Sequence, residues 1–96
     1  MPRFLIFIIN GILLGMRIDK YLKVSRLIKR RTVAHDAAEQ DRIYLNGKAS
    51  KPGAQVKPGD IIEIVFGNSR MKVKVVSTPE HIGKDDAGSM YEIIND

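Results

Sequence analysis

RIDKYLKVSRLIKRR, residues Arg17 to Arg31, carries seven basic side chains against one acid, Asp19. Ile18, Leu22 and Ser25 recur at i, i+4, i+7, and Tyr21, Val24 and Ile28 at i, i+3, i+7. Two adjoining rows of this kind bury one side of a helix, so the spacing predicts a helix from Arg17 to about Ile28. Lys29-Arg30-Arg31 then reads as a tight basic connection. Arg17, Lys20, Lys23 and Arg26 return at every third position, and a helix turns about every 3.6 residues, so the row winds slowly round the cylinder and suits a curved phosphate track. A solvated helix whose cations only maintain solubility is the plainer reading. Against it, arginine is mixed with lysine, the cations cluster where the helix should end, and the acids that usually balance such a helix are missing. A surplus of six charges on so short a run points to a polyanion, and nucleic acid is the commonest one inside cells.

Beyond the basic run, Thr32 offers an N-cap hydroxyl for a second helix extending through Gln40. Val33, Ala34, Ala37 and Ala38 form its apolar stripe, and the small alanines allow close approach to the first helix; Asp36 and Glu39 lie outward. Asp41 stands where a left-handed glycine usually ends a helix. Ile43-Tyr44-Leu45 predicts a short strand closed by Asn46-Gly47, a strong two-residue hairpin signal. Lys48 to Gln55 reads as a brief return strand and loop, broken at Pro52-Gly53, and Val56 to Asp60 as a second turn. Ile61 to Phe66 is strand-like, and Gly67-Asn68-Ser69 turns it back into Met71 to Val76, where Met71, Val73 and Val75 alternate with Lys72 and Lys74. Thr78 to Ser89 reads as a long polar, mobile loop, and Met90 to Ile94 as a last strand. The fold class expected is α+β, two short N-terminal helices packed on a small, mainly antiparallel sheet.

Ninety-six residues with 44% hydrophobic content make one small domain with a modest core. Residues 16–60 hold eleven basic and five acidic side chains, whereas residues 61–96 hold four and six, so one half of the chain should face the polyanion. Cysteine is absent, which excludes disulfides and thiolate metal sites and fits a reducing cytoplasm. His35 and His81 have no second ligand at metal spacing, so neither a metal nor a cofactor is expected. No nucleophile with its base, paired carboxylates or phosphate-cradling glycine loop is present at a persuasive spacing, and an enzyme is not expected.

Residues 1–15, MPRFLIFIINGILLG, are an apolar leader too short for the roughly 20 residues that span a bilayer. The leader could imitate a signal-peptide core, although a single Arg3 precedes it and no small-x-small cleavage site follows. The preferred reading places the working start at Met16, with residues 16–96 as the domain. If made, the leader would be a poorly packed helix or loose tail that promotes aggregation or membrane contact.

Ser25-Arg26, the basic link to a small-residue helix, Arg42-Ile43-Tyr44-Leu45-Asn46-Gly47-Lys48, Lys51-Pro52 and Val56-Lys57-Pro58-Gly59-Asp60-Ile61 together resemble the S-four RNA-binding domain, or alpha-L motif. The likeness covers Met16 to about Phe66. Met16 to Thr32 is similar to a stand-alone, ribosome-associated branch of that family, and there the likeness extends to the final strand. The resemblance implies binding to ribosomal RNA and peptidyl-tRNA on an obstructed large ribosomal subunit, in support of an RqcH-like factor that tails the stalled chain with alanine. It also implies a cytoplasmic protein, monomeric and off the membrane. Its RNA-contacting cations would fall first on Arg17 and Arg31, with Lys20, Lys23, Arg26, Lys29, Arg30 and Lys48 beside them. The apolar leader and Asp41, in place of the common glycine, depart from the family pattern. Two alternatives stay open at this point, a basic protein anchored to membranes through its leader and an RNA-binding accessory of a separate RNA-modifying enzyme.

Overall fold

The structure, a computed structural model, describes residues 16–78 and 84–94, so the expectations for the leader lie outside the described residues. The chain opens with a short strand, β1 (Met16–Arg17), which runs directly into helix α1 (Ile18–Val24). No side chain caps α1. Its first N–H groups are instead satisfied by loop carbonyls, Ile18 donating to Ala54 at 2.8 Å and Asp19 to Pro52 at 3.3 Å.

The helix is shorter than the apolar rows predict. It stops at Val24 because Arg26 takes a left-handed backbone, φ +69°, and the chain reverses so that the Ile28 N–H returns to the Leu22 carbonyl at 3.0 Å. Ile28 is buried, as expected, but by this reversal and not by a further helical turn.

Helix α2 spans Arg31–Glu39, and its N-cap is Arg30, so Thr32 lies inside the helix and does not cap it. Ala34 and Ala38 face α1 and the sheet without solvent exposure, which lets the helices approach closely. Asp41 does adopt the left-handed conformation expected of it, φ +59°. Its N–H donates to Ala38 and that of Arg42 to Ala37, the paired bonds that close a helix end.

The main sheet contains β2 (Ile43–Leu45), β3 (Lys48–Ala49), β5 (Ile61–Phe66), β6 (Ser69–Val75) and β7 (Tyr91–Ile93), in the spatial order β3-β2-β5-β6-β7, with every pairing antiparallel. Asn46 and Gly47 supply the two positive φ angles of the first hairpin. The second hairpin is tighter than expected, because Ser69 already pairs with Phe66 and β6 ends at Val75. A fourth strand, β4 (Gln55–Val56), pairs with β1 in a separate ribbon, Met16 opposite Val56 and Arg17 opposite Gln55. The expected polar loop near the C-terminus contains a short 3-10 helix, Lys84–Met90, and Met90 is fully buried at its end instead of starting the last strand.

The core lies between α1 and α2 and one face of the sheet, and includes Ile18, Tyr21, Leu22, Ile43, Val56, Ile62, Ile64, Val73 and Met90. Tyr21 is its polar exception. Its hydroxyl donates to the Met90 carbonyl at 2.6 Å, and burial, with Tyr91 nearby, raises the phenol well above its ordinary pKa. Asp60 ties the turns together by accepting from the Lys57 N–H, the Lys57 ammonium and the Asn46 amide.

Candidate nucleic-acid interface

Asp19 is buried to 2% exposure in the first turn of α1, and burying a carboxylate is costly unless cations and hydrogen bonds surround it. Two arginines and an amide supply them. Arg17 approaches in a forked arrangement, Nε to Oδ1 at 3.3 Å and Nη2 to Oδ2 at 3.1 Å. The Lys20 N–H donates to Oδ1 at 2.7 Å, and Nη2 of Arg31 lies 3.5 Å from the same oxygen. One inward carboxylate thus positions two guanidinium groups that stand fourteen residues apart in the chain and are each about half exposed. Most of their N–H donors remain available outward.

The local fold explains this convergence. Pairing of β1 with β4 fixes the Arg17 backbone, and Gly53 brings the loop backbone against its guanidinium, where a Cβ would sit 3.9 Å away. Arg31 is the first residue of α2, and close packing of α2 on α1 delivers it to Asp19. Arg17, Asp19, Arg31, Thr32, His35 and Asp36 line a concavity of about 390 Å³. Arg30 and Arg31 place cations at the positive end of the α2 dipole, an arrangement that disfavours the helix slightly and favours an anion docking there.

The remaining cations do not form the single helical row that their spacing suggests. Arg17 belongs to β1, Lys20 and Lys23 to α1, and Arg26 to the left-handed turn beyond it. Lys23, Arg26 and Arg30 are exposed, and Lys20 is half-buried. Lys29 lines a second, apolar groove on the other side of α2. Lys48 is exposed in the outer strand β3 and does not line the concavity.

Sequence reasoning gave no site role to Asp19, Gly53, Thr32 or His35. The lone acid within a basic run was the available signal for Asp19. His35 is an exposed histidine on the face of α2, with Nδ1 3.7 Å from Asp36 and Nε2 4.0 Å from Glu39. Among the described residues no three His, Cys, Asp or Glu side chains gather as a metal ion would need, and no helix is long and apolar enough to cross a membrane.

Residues 16–62 match the S4 domain family. The chain is 51% identical over 81 residues to the RQC P-site tRNA stabilizing factor of Streptococcus pneumoniae, which covers 84% of this chain and 92% of the relative. This chain belongs to the S4-domain family of RQC P-site tRNA stabilizing factors. The RQC P-site tRNA stabilizing factor of Listeria monocytogenes is 52% identical over 81 residues, covering 84% of this chain and 88% of the relative. The trimeric structure of Vibrio cholerae heat shock protein 15 superposes on this S4-domain protein with a TM-score of 0.76, at 25% identity, covering 83% of this chain and 82% of that one.

Proposed function

We propose that this protein stabilises a P-site tRNA on an obstructed large ribosomal subunit in bacterial ribosome-associated quality control, by binding ribosomal RNA and tRNA together. The observation that carries the reading is the pair Arg17 and Arg31 held on the buried Asp19. Folded RNA offers side chains little access to its deep major groove and is recognised by shape and phosphate position, and guanidinium groups held at fixed spacing serve that purpose. Lys20, Lys23, Arg26 and Arg30 flank the pair as secondary phosphate contacts, with Lys48 further out, whereas Lys29 lines the apolar groove on the other flank of α2. The protein works as a monomer in the cytoplasm, by binding alone. In holding the tRNA it supports an RqcH-like factor that extends the stalled chain. The close identity to curated P-site tRNA stabilizing factors supports the choice of tRNA as ligand.

Sedimenting tagged protein with large ribosomal subunits carrying peptidyl-tRNA tests the reading. The wild-type chain is expected to travel with them, and Arg17→Ala with Arg31→Ala to lower its bound fraction by about tenfold or more. Undiminished sedimentation of the folded double variant would exclude this face as the RNA contact.

A further inference from the structure

On the flank of α2 away from Arg31 and His35 lies a second hollow of about 340 Å³. Its walls come from Val33 and Ala37 of α2, Val65 and Phe66 of β5, and Leu27 of the reversed connection. Val33 is 51% exposed and Phe66 46%, so two of the four large hydrophobic side chains exposed among the described residues converge here from different elements. Apolar side chains that gather at the surface, rimmed by charge, mark an interaction site more often than isolated ones do. The rim is one-signed. Lys29 and Arg42 line the groove, and among the described residues no carboxylate lines it and neither cation has an ion-pair partner.

We propose that this groove docks a protein segment in which one or two large apolar side chains are flanked by acidic residues. The apolar floor receives the anchors, and Lys29 and Arg42 pair with the flanking carboxylates. Nucleic acid fits less well, because its interfaces are polar and its bases stack on flat aromatic platforms, whereas this floor is mostly aliphatic. The groove and the Arg17–Arg31 concavity occupy opposite flanks of α2, so both can be filled at once and the domain can join an RNA to a protein. The proposal does not depend on which RNA the concavity binds.

Nuclear magnetic resonance titration of the isotope-labelled full chain tests it. The probe is a short synthetic peptide with leucine and phenylalanine at i and i+4 between glutamates, and its control replaces the glutamates with lysines. The acidic peptide is expected to shift the resonances of Leu27, Val33, Ala37 and Phe66, and Phe66→Ser to weaken its binding by about tenfold. Val33→Ser, in the other wall, should do the same if Phe66→Ser disturbs β5. The control should leave the groove unmoved. No shift with the acidic peptide, equal shifts with both peptides, or shifts produced by an RNA hairpin instead would each overturn the proposal. So would concentration-dependent changes at the groove without peptide, which assign it to a second copy, or nuclear Overhauser contacts from it to residues 1–15.

Discussion

Asp19→Asn adds one positive charge to the protein while keeping the side chain's size. Simple attraction to phosphate would then tighten RNA binding. The structure predicts the reverse, because a neutral amide loses the charge-assisted bonds that hold Arg17 and Arg31 in place. Freed arginines must be ordered again on contact, at a cost of about 0.5–1.5 kcal/mol per side chain. The expected result is RNA affinity lower by about fivefold to tenfold for the folded variant, measured by salt-matched filter binding or anisotropy. Unchanged or tighter binding would show that charge alone decides. The ion pairs add little to stability, since both arginines are about half exposed, but the carboxylate itself is buried. Its substitution should therefore also cost about 1–3 kcal/mol in unfolding free energy.

Both helix ends depend on a residue that pays for a left-handed backbone, Arg26 after α1 and Asp41 after α2. Glycine at either position relieves crowding of the Cβ, so Arg26→Gly and Asp41→Gly should each add about 1 kcal/mol. In thermal unfolding that corresponds to a rise of about 4–8 °C in Tm for a domain of this size. Arg26→Gly should at the same time weaken RNA binding, because it removes an exposed cation. These two ends also show what the sequence discloses. Asp41 follows an alanine-rich helix and precedes a β-branched strand, so its role could be read in advance. At Arg26 no glycine or proline marks the break, and the apolar rows continue to Ile28 because Ile28 reaches the core by a different path. Asn46-Gly47 was equally plain, since a type I′ hairpin demands such residues. The β1–β4 ribbon was hidden, because strands of two residues are too short to show any periodicity. That omission also concealed how Arg17 is fixed, and so the arginine pair itself.

Charge is divided across the whole molecule, with an excess of six cations in residues 16–60 and of two acids in residues 61–96. If the helical half neutralises about four to six phosphates, log affinity should fall against log salt with a slope of about −3 to −5. Titrating RNA binding across a range of potassium chloride concentrations measures that slope, and a flat response would contradict a phosphate-reading face. Loss of one phosphate contact should flatten it by about one unit, so Arg31→Ala is expected to flatten it more than Lys48→Ala, which alters only the outer strand. Tyr21 and Met90 meet across 69 positions of chain, and β7, the strand that directly follows Met90, pairs with β6 at the edge of the sheet. During synthesis, then, the elements that present the arginines, β1 and α2, and the helix α1 between them cannot acquire their final support until Met90 has left the exit tunnel. A nascent chain that exposes only its helical half therefore lacks the carbonyl on which the Tyr21 hydroxyl rests.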